Sequence, residues 1–146
     1  MFRALALALG ALLLLAAGSA YLALYPHVPD DLGGVENLDA RARRLRIPVG
    51  EDDHVDAWWV PGERQALVVF FPGYARRHDR AWRYAQFLLK DGYGVLAVDF
   101  RSTRLWNRKP TTLGWWEVAD GRAVLDWVAA QPQWKGRRPR SPQQSQ

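Results

Sequence analysis

Residues 4 to 24 are almost wholly apolar, carry no charge and show no polar face. Such a run predicts a helix long enough to cross a bilayer, which takes about 20 residues. From Tyr25 to Ala40 the pattern breaks into Pro26, Pro29, Gly33, Gly34 and several acids, the composition of a linker. Polar and apolar residues then alternate twice, over Arg44–Val49 and over His54–Val60, with Gly50-Glu51-Asp52-Asp53 between them. Period-two alternation on either side of a turn predicts a β-hairpin. Pro61-Gly62-Glu63-Arg64 turns the chain again. Ala66–Phe71 is continuously apolar and rich in Val and Phe, as expected of a parallel strand buried on both faces. The next segment has apolar residues at helical spacing (Trp82, Ala85, Leu88, Leu89), with Asp79 placed to cap it and Gly92 to end it. Gly94–Asp99 predicts a second buried strand, and Arg101–Pro110 a polar loop. A last helix is expected from about Leu113 to Ala130, with Trp116, Ala119, Ala123, Val124, Trp127 and Val128 on its inner face. A hairpin followed by strand, helix, strand and helix implies an α/β sandwich.

Charge decides which way the first helix would point. Arg3 and the amino terminus precede it; Asp30, Asp31 and Glu36 follow it, and the next basic residue is Arg41. This asymmetry keeps the amino terminus in the cytoplasm and sends the rest of the chain across, as a single-pass protein with an exported C-terminal domain. The alternative is a secreted or periplasmic protein released by signal cleavage at Gly18-Ser19-Ala20, which offers small residues to a signal peptidase. The apolar run continues past that site through Leu24, which favours the uncleaved anchor.

The chain has 146 residues, so one domain is the ceiling. Its net charge of +5 comes partly from Lys135, Arg137, Arg138 and Arg140 in a Pro-, Ser- and Gln-rich tail. No nucleic-acid motif accompanies this cluster, so a solvated tail is expected and no nucleic-acid partner. With no cysteine, disulfides, thiol nucleophiles and Cys-bound zinc are excluded. The three histidines are scattered, so no metal site is expected, and nothing implies a cofactor. The eight tryptophans include the pairs Trp58-Trp59 and Trp115-Trp116. Neighbours on a strand face opposite ways, so at most one of Trp58 and Trp59 enters the core. Packing is the expected role of these rings, with some resting at the membrane interface near the anchor.

Four pieces in order carry a resemblance over about residues 29–134: Asp56-Ala57-Trp58-Trp59-Val60-Pro61; Phe71-Pro72-Gly73-Tyr74; Asp91-Gly92-Tyr93-Gly94-Val95-Leu96-Ala97-Val98-Asp99-Phe100-Arg101; and Thr112-Leu113-Gly114-Trp115-Trp116-Glu117-Val118-Ala119-Asp120. Together they resemble the first half of the α/β-hydrolase superfamily, in its membrane-anchored, serine-hydrolase-like branch. The resemblance implies an incomplete α/β-hydrolase-type sheet, a hairpin plus two parallel strands with two helices, behind an N-terminal transmembrane helix. It also implies that Tyr74 is the backbone oxyanion-hole donor, with Gly73 letting the chain approach the substrate; the alternative is a plain Pro-Gly turn bearing an exposed tyrosine. Two departures stand out. Pro72 replaces the family's usual histidine, and Ser102-Thr103-Arg104-Leu105-Trp106 replaces its glycine-rich loop after the second strand. Glu117 and Asp120 suit the start of a helix, and either is placed to pair with Arg101, a structural role.

Serine hydrolysis needs a nucleophile, a base and an orienting acid. In the family's order these come after the last helix, and none of Ser19, Ser102, Ser141 and Ser145 lies in G-x-S-x-G. An unconventional set, Ser102, His78 and Asp99, falls beyond the carboxyl ends of the two parallel strands, where chance placement is the competing account. The expected organisation is therefore a signal anchor over 1–25, a linker over 26–43, the front half of a hydrolase domain over 44–134 and a basic disordered tail over 135–146. The ending reads as that of a frameshifted or prematurely stopped gene. Without the nucleophile strand beside it, Ala66–Phe71 has an open edge, which predicts self-association or pairing with a partner strand and poor folding of the soluble part alone.

Overall fold

The computed structural model describes residues 2–28, 39–104 and 108–134; the expected basic tail and most of the linker lie outside them. α1 (Phe2–Leu24) buries no residue, and its last turn is hydrogen-bonded to Tyr74 and Thr111 of the domain. The hairpin strands are β1 (Arg43–Val49) and β2 (Asp53–Val60); then come β3 (Leu67–Phe70), α2 (Asp79–Lys90), β4 (Gly94–Asp99) and α3 (Trp115–Ala130), closed by a 3-10 turn at Pro132–Trp134. The four strands form one sheet in the order β1-β2-β4-β3. β1 and β2 are antiparallel from Arg43↔Trp59 to Val49↔Asp53, β2 and β4 are antiparallel from Asp56↔Asp99 to Val60↔Val95, and β3 runs parallel to β4 from Leu67↔Gly94 to Phe70↔Ala97.

The helices cover opposite faces of this sheet. α2 packs Trp82 and Ala85 on Trp58, Val60 and Val95, while α3 packs Val124 among Ile47, Val55, Ala57, Leu96 and Val98. The alternation of Cβ positions along β2 separates the tryptophan pair: Trp58 is buried in the α2 layer, and half-buried Trp59 lies in the α3 layer, edge-on to Trp134 at 6.0 Å. At the amino end of the parallel strands, Gly62 passes so close to the backbone of Tyr93 and Gly94 that no side chain fits there. Gly92 ends α2 in the left-handed region (φ 82°), as its position suggests.

Three local expectations are corrected. Ala66–Phe71 is not buried on both faces: β3 is half-buried throughout, because it forms the edge of the sheet and has β4 as its one strand neighbour among the described residues. Asp79 does not cap α2: it is the first helical residue, after His78, because its predecessor already has helical backbone angles. Ala119 faces solvent, and α3 turns Asp120 inward instead, since Arg101 waits there to pair with it.

Candidate functional site

The loops that follow β3 and β4 meet at one end of the sheet. Phe71 and Phe100, one residue beyond each strand, stack their rings 6.0 Å apart at 12° and tie the loops together. Two residues other than glycine adopt positive φ among the described residues, Ala75 (54°) and Leu113 (52°). Both line the same cavity of about 300 Å³, with Gly73, Tyr74, Phe100 and Ser102. Left-handed backbone at such residues costs energy and persists only where the surroundings enforce it. Tyr74 lies at this cavity with its ring exposed, and its hydroxyl donates to the Ala23 carbonyl at 2.7 Å.

Glu117 forms the floor of the rim. Its carboxylate accepts the Thr111 hydroxyl (2.8 Å), the Thr112 hydroxyl (2.8 Å), and the N–H groups of Thr112 (3.2 Å) and Gly114 (2.9 Å). Burial pushes this carboxyl up, but these donors outweigh it and hold the pKa at about 2. A carboxylate so occupied fastens the start of α3 and leaves no proton to exchange near neutrality. Asp120 accepts Arg101 Nε at 2.7 Å and the Arg101 N–H at 3.2 Å; burial pushes its carboxyl above the ordinary range, against the pull of Arg101. Of the two acids placed near Arg101, Asp120 is its partner.

Ser102-Thr103-Arg104 does reshape the loop after β4. The chain turns back on the Phe100 carbonyl, and the buried Arg104 guanidinium donates to Asp53 at 2.8 Å and to the His54 carbonyl at 3.0 Å. Burial raises the Asp53 carboxyl, but the His54 N–H, Arg104 and Arg101 bring it below the ordinary range. This clamp joins the loop to the hairpin across 51 residues of sequence and replaces the tight glycine turn that the resemblance leads one to expect. Only the size of residues 102–104 signalled a changed loop; nothing local named Asp53 as partner.

His78 and Asp99 meet, whereas Ser102 stays apart. Asp99 accepts the His78 N–H, His78 Nδ1 at 2.8 Å and Arg77 Nε at 3.4 Å, all in the buried interior. His78 Nε2 is buried without a hydrogen-bond partner, and the ring stacks on Trp58 at 3.5 Å. His78 borders a second hollow of about 170 Å³ beside α2, while Ser102 lines the first cavity. Of the set Ser102, His78 and Asp99, the last two are thus hydrogen-bonded, and Ser102 lines the other cavity. Among the described residues no group of three or more His, Cys, Asp or Glu is placed to hold a metal ion.

The chain is similar to the Pyrococcus furiosus esterase Pf2001 in three crystal forms, at 27%, 26% and 24% identity and TM-scores of 0.61, 0.63 and 0.59. The matches cover 74%, 76% and 75% of this chain and 44%, 46% and 42% of the esterase, so the chain spans less than half of that enzyme's length. No family model and no curated protein matches the sequence. The fold is thus a mixed α/β arrangement resembling that of an esterase. α1, with a mean hydropathy of 2.1, is long and apolar enough to cross a membrane, a test that a signal sequence also passes.

Proposed function

We propose that these 146 residues are the front half of a membrane-anchored α/β-hydrolase of serine-esterase or peptidase type, and that they do not hydrolyse substrate by themselves. The observation that carries this reading is the sheet order β1-β2-β4-β3 in a chain whose fold matches under half of an esterase. The outer edge of β3 is where the nucleophile strand of such an enzyme belongs. The residues present supply one oxyanion donor, the Tyr74 N–H, on a loop held by Phe71 and Phe100. Nucleophile, acid and catalytic histidine belong to sequence beyond residue 134, and a single donor does not replace them. α1 anchors the domain, with Arg3 on the cytoplasmic side and the sheet on the other.

Two measurements test this. The purified chain should take up no fluorophosphonate probe and should leave p-nitrophenyl esters intact; a labelled serine would contradict the reading. Translating the coding DNA past the Trp134 codon in all three frames should reveal a strand, G-x-S-x-G, and later an Asp and a His. A second reading uses the same edge: a non-catalytic anchored module whose β3 pairs with a strand of another chain. A stable stoichiometric complex, with no such coding sequence downstream, would select it.

A further inference from the structure

α1 does not end as a loose tether. The last turn of a helix leaves carbonyls without partners inside the helix, and here the rim supplies donors: the Tyr74 hydroxyl to Ala23 at 2.7 Å and the Thr111 N–H to Leu24 at 2.8 Å. The Arg108 guanidinium adds a bond to the Pro26 carbonyl at 3.0 Å, and Pro26 itself lines the 300 Å³ cavity. The rings of Tyr21 and Tyr25 lie 5.1 Å apart at this same end of the helix. Tyrosines at a helix end favour the headgroup layer. Around them the rim exposes Tyr74, Leu113 and Trp115, by 54%, 73% and 82%. Apolar and aromatic side chains beside cations such as Arg108 and Lys109 make a surface suited to the membrane interface. The opposite end of the sheet presents Glu63, Arg64 and Asp91.

Taking α1 as an anchor, as proposed above, we propose that this rim lies against the outer surface of the bilayer, with the cavity mouth facing the lipid headgroups. A loop hydrogen-bonded to the end of a spanning helix shares that end's depth. β4 carries the far end of the sheet about 20 Å away from the surface. A ligand of this cavity then arrives as a membrane-borne amphiphile rather than from bulk water.

The absence of cysteine makes single-site labelling clean. The full chain, carrying an environment-sensitive fluorophore at Leu113→Cys, Glu63→Cys or Leu13→Cys, is placed in vesicles of phosphatidylcholine and phosphatidylglycerol. The vesicles bear a nitroxide quencher either at the headgroup or deep in the acyl chain. The headgroup quencher should act severalfold more on the Leu113 label than on the Glu63 label, and the deep quencher on the Leu13 label. Adding Tyr74→Phe should lower the Leu113 quenching towards the Glu63 level. If the Leu13 label is quenched while Leu113 and Glu63 behave alike, the rim proposal falls and the anchor stands. If the Leu13 label is not quenched, the anchor reading falls and takes the proposal with it. A Leu113 label that shifts to the blue without lipid quenching would mean that protein covers the rim, which also overturns the proposal. Equal quenching at Leu113 and Glu63 with no effect of Tyr74→Phe would mean an unfolded chain adhering to lipid, with the same consequence.

Discussion

β3 and β4 lie side by side from Leu67↔Gly94 to Phe70↔Ala97, yet every residue of β4 is buried while every residue of β3 is half-buried. Both are short and mainly apolar, Leu67-Val68-Val69-Phe70 in β3 and Val95-Leu96-Ala97-Val98 between Gly94 and Asp99 in β4. What separates them is company: among the described residues β4 is paired on both edges and covered on both faces, whereas β3 is paired on one edge. Burial here is a property of neighbours. An apolar strand with an unpaired edge is the position at which a further strand adds most.

The strongest way to break this comparison is at the end of β4. Asp99→Ala should cost about 3–5 kcal/mol, because it leaves Arg77 and His78 buried without their carboxylate. Denaturant titration in detergent micelles, followed by tryptophan fluorescence, measures it; an effect below about 1 kcal/mol would mean that this cluster is solvated. Next, Leu96→Ala in β4 should cost about 2–5 kcal/mol by opening a cavity in a closed layer. The change Val69→Ala at its register partner in β3 should cost less, about 1–2 kcal/mol, since the smaller side chain is only partly buried. Equal losses would remove the distinction between the strands.

The smallest effect is acid-dependent and acts on the rim rather than on either strand. Glu117 has a folded pKa of about 2, below that of the unfolded chain. Its contribution is therefore fully present above pH ~4.5 and lost as pH falls through ~2. Because the group is partly solvated, the loss should be on the order of 1 kcal/mol. A Glu117→Gln variant should show a flatter acid limb with the β3–β4 difference unchanged.

The hairpin and the helix Asp79–Lys90 were legible because each rests on a local period, alternation at Arg44–Val49 and His54–Val60 and helical spacing at Trp82, Ala85, Leu88 and Leu89 with Gly92 as a stop, while the parallel strands showed as short continuous apolar runs. The half-burial of β3 was not legible, since an apolar run reads the same at the centre of a sheet and at its edge. The candidate site was harder still. The places of His78 and Asp99 after and at the ends of the parallel strands put them at one end of the sheet, but their contact, and the stacking of Trp58 on the imidazole, depend on which side of a loop each side chain takes. The Arg104–Asp53 clamp and the Tyr74–Ala23 bond each join residues 51 apart, beyond the reach of any local pattern.

Hydrogen exchange of the full chain in detergent, resolved to β3 and β4 and taken at falling protein concentration, tests the open edge most directly. The β4 amides should stay protected throughout, while the outward N–H groups of β3 exchange fast in the monomer and slow down only as the chain associates. Protection of β3 equal to that of β4 in a dilute monomer would show that the edge is already covered, and would contradict the reading of this sheet as half of a larger one.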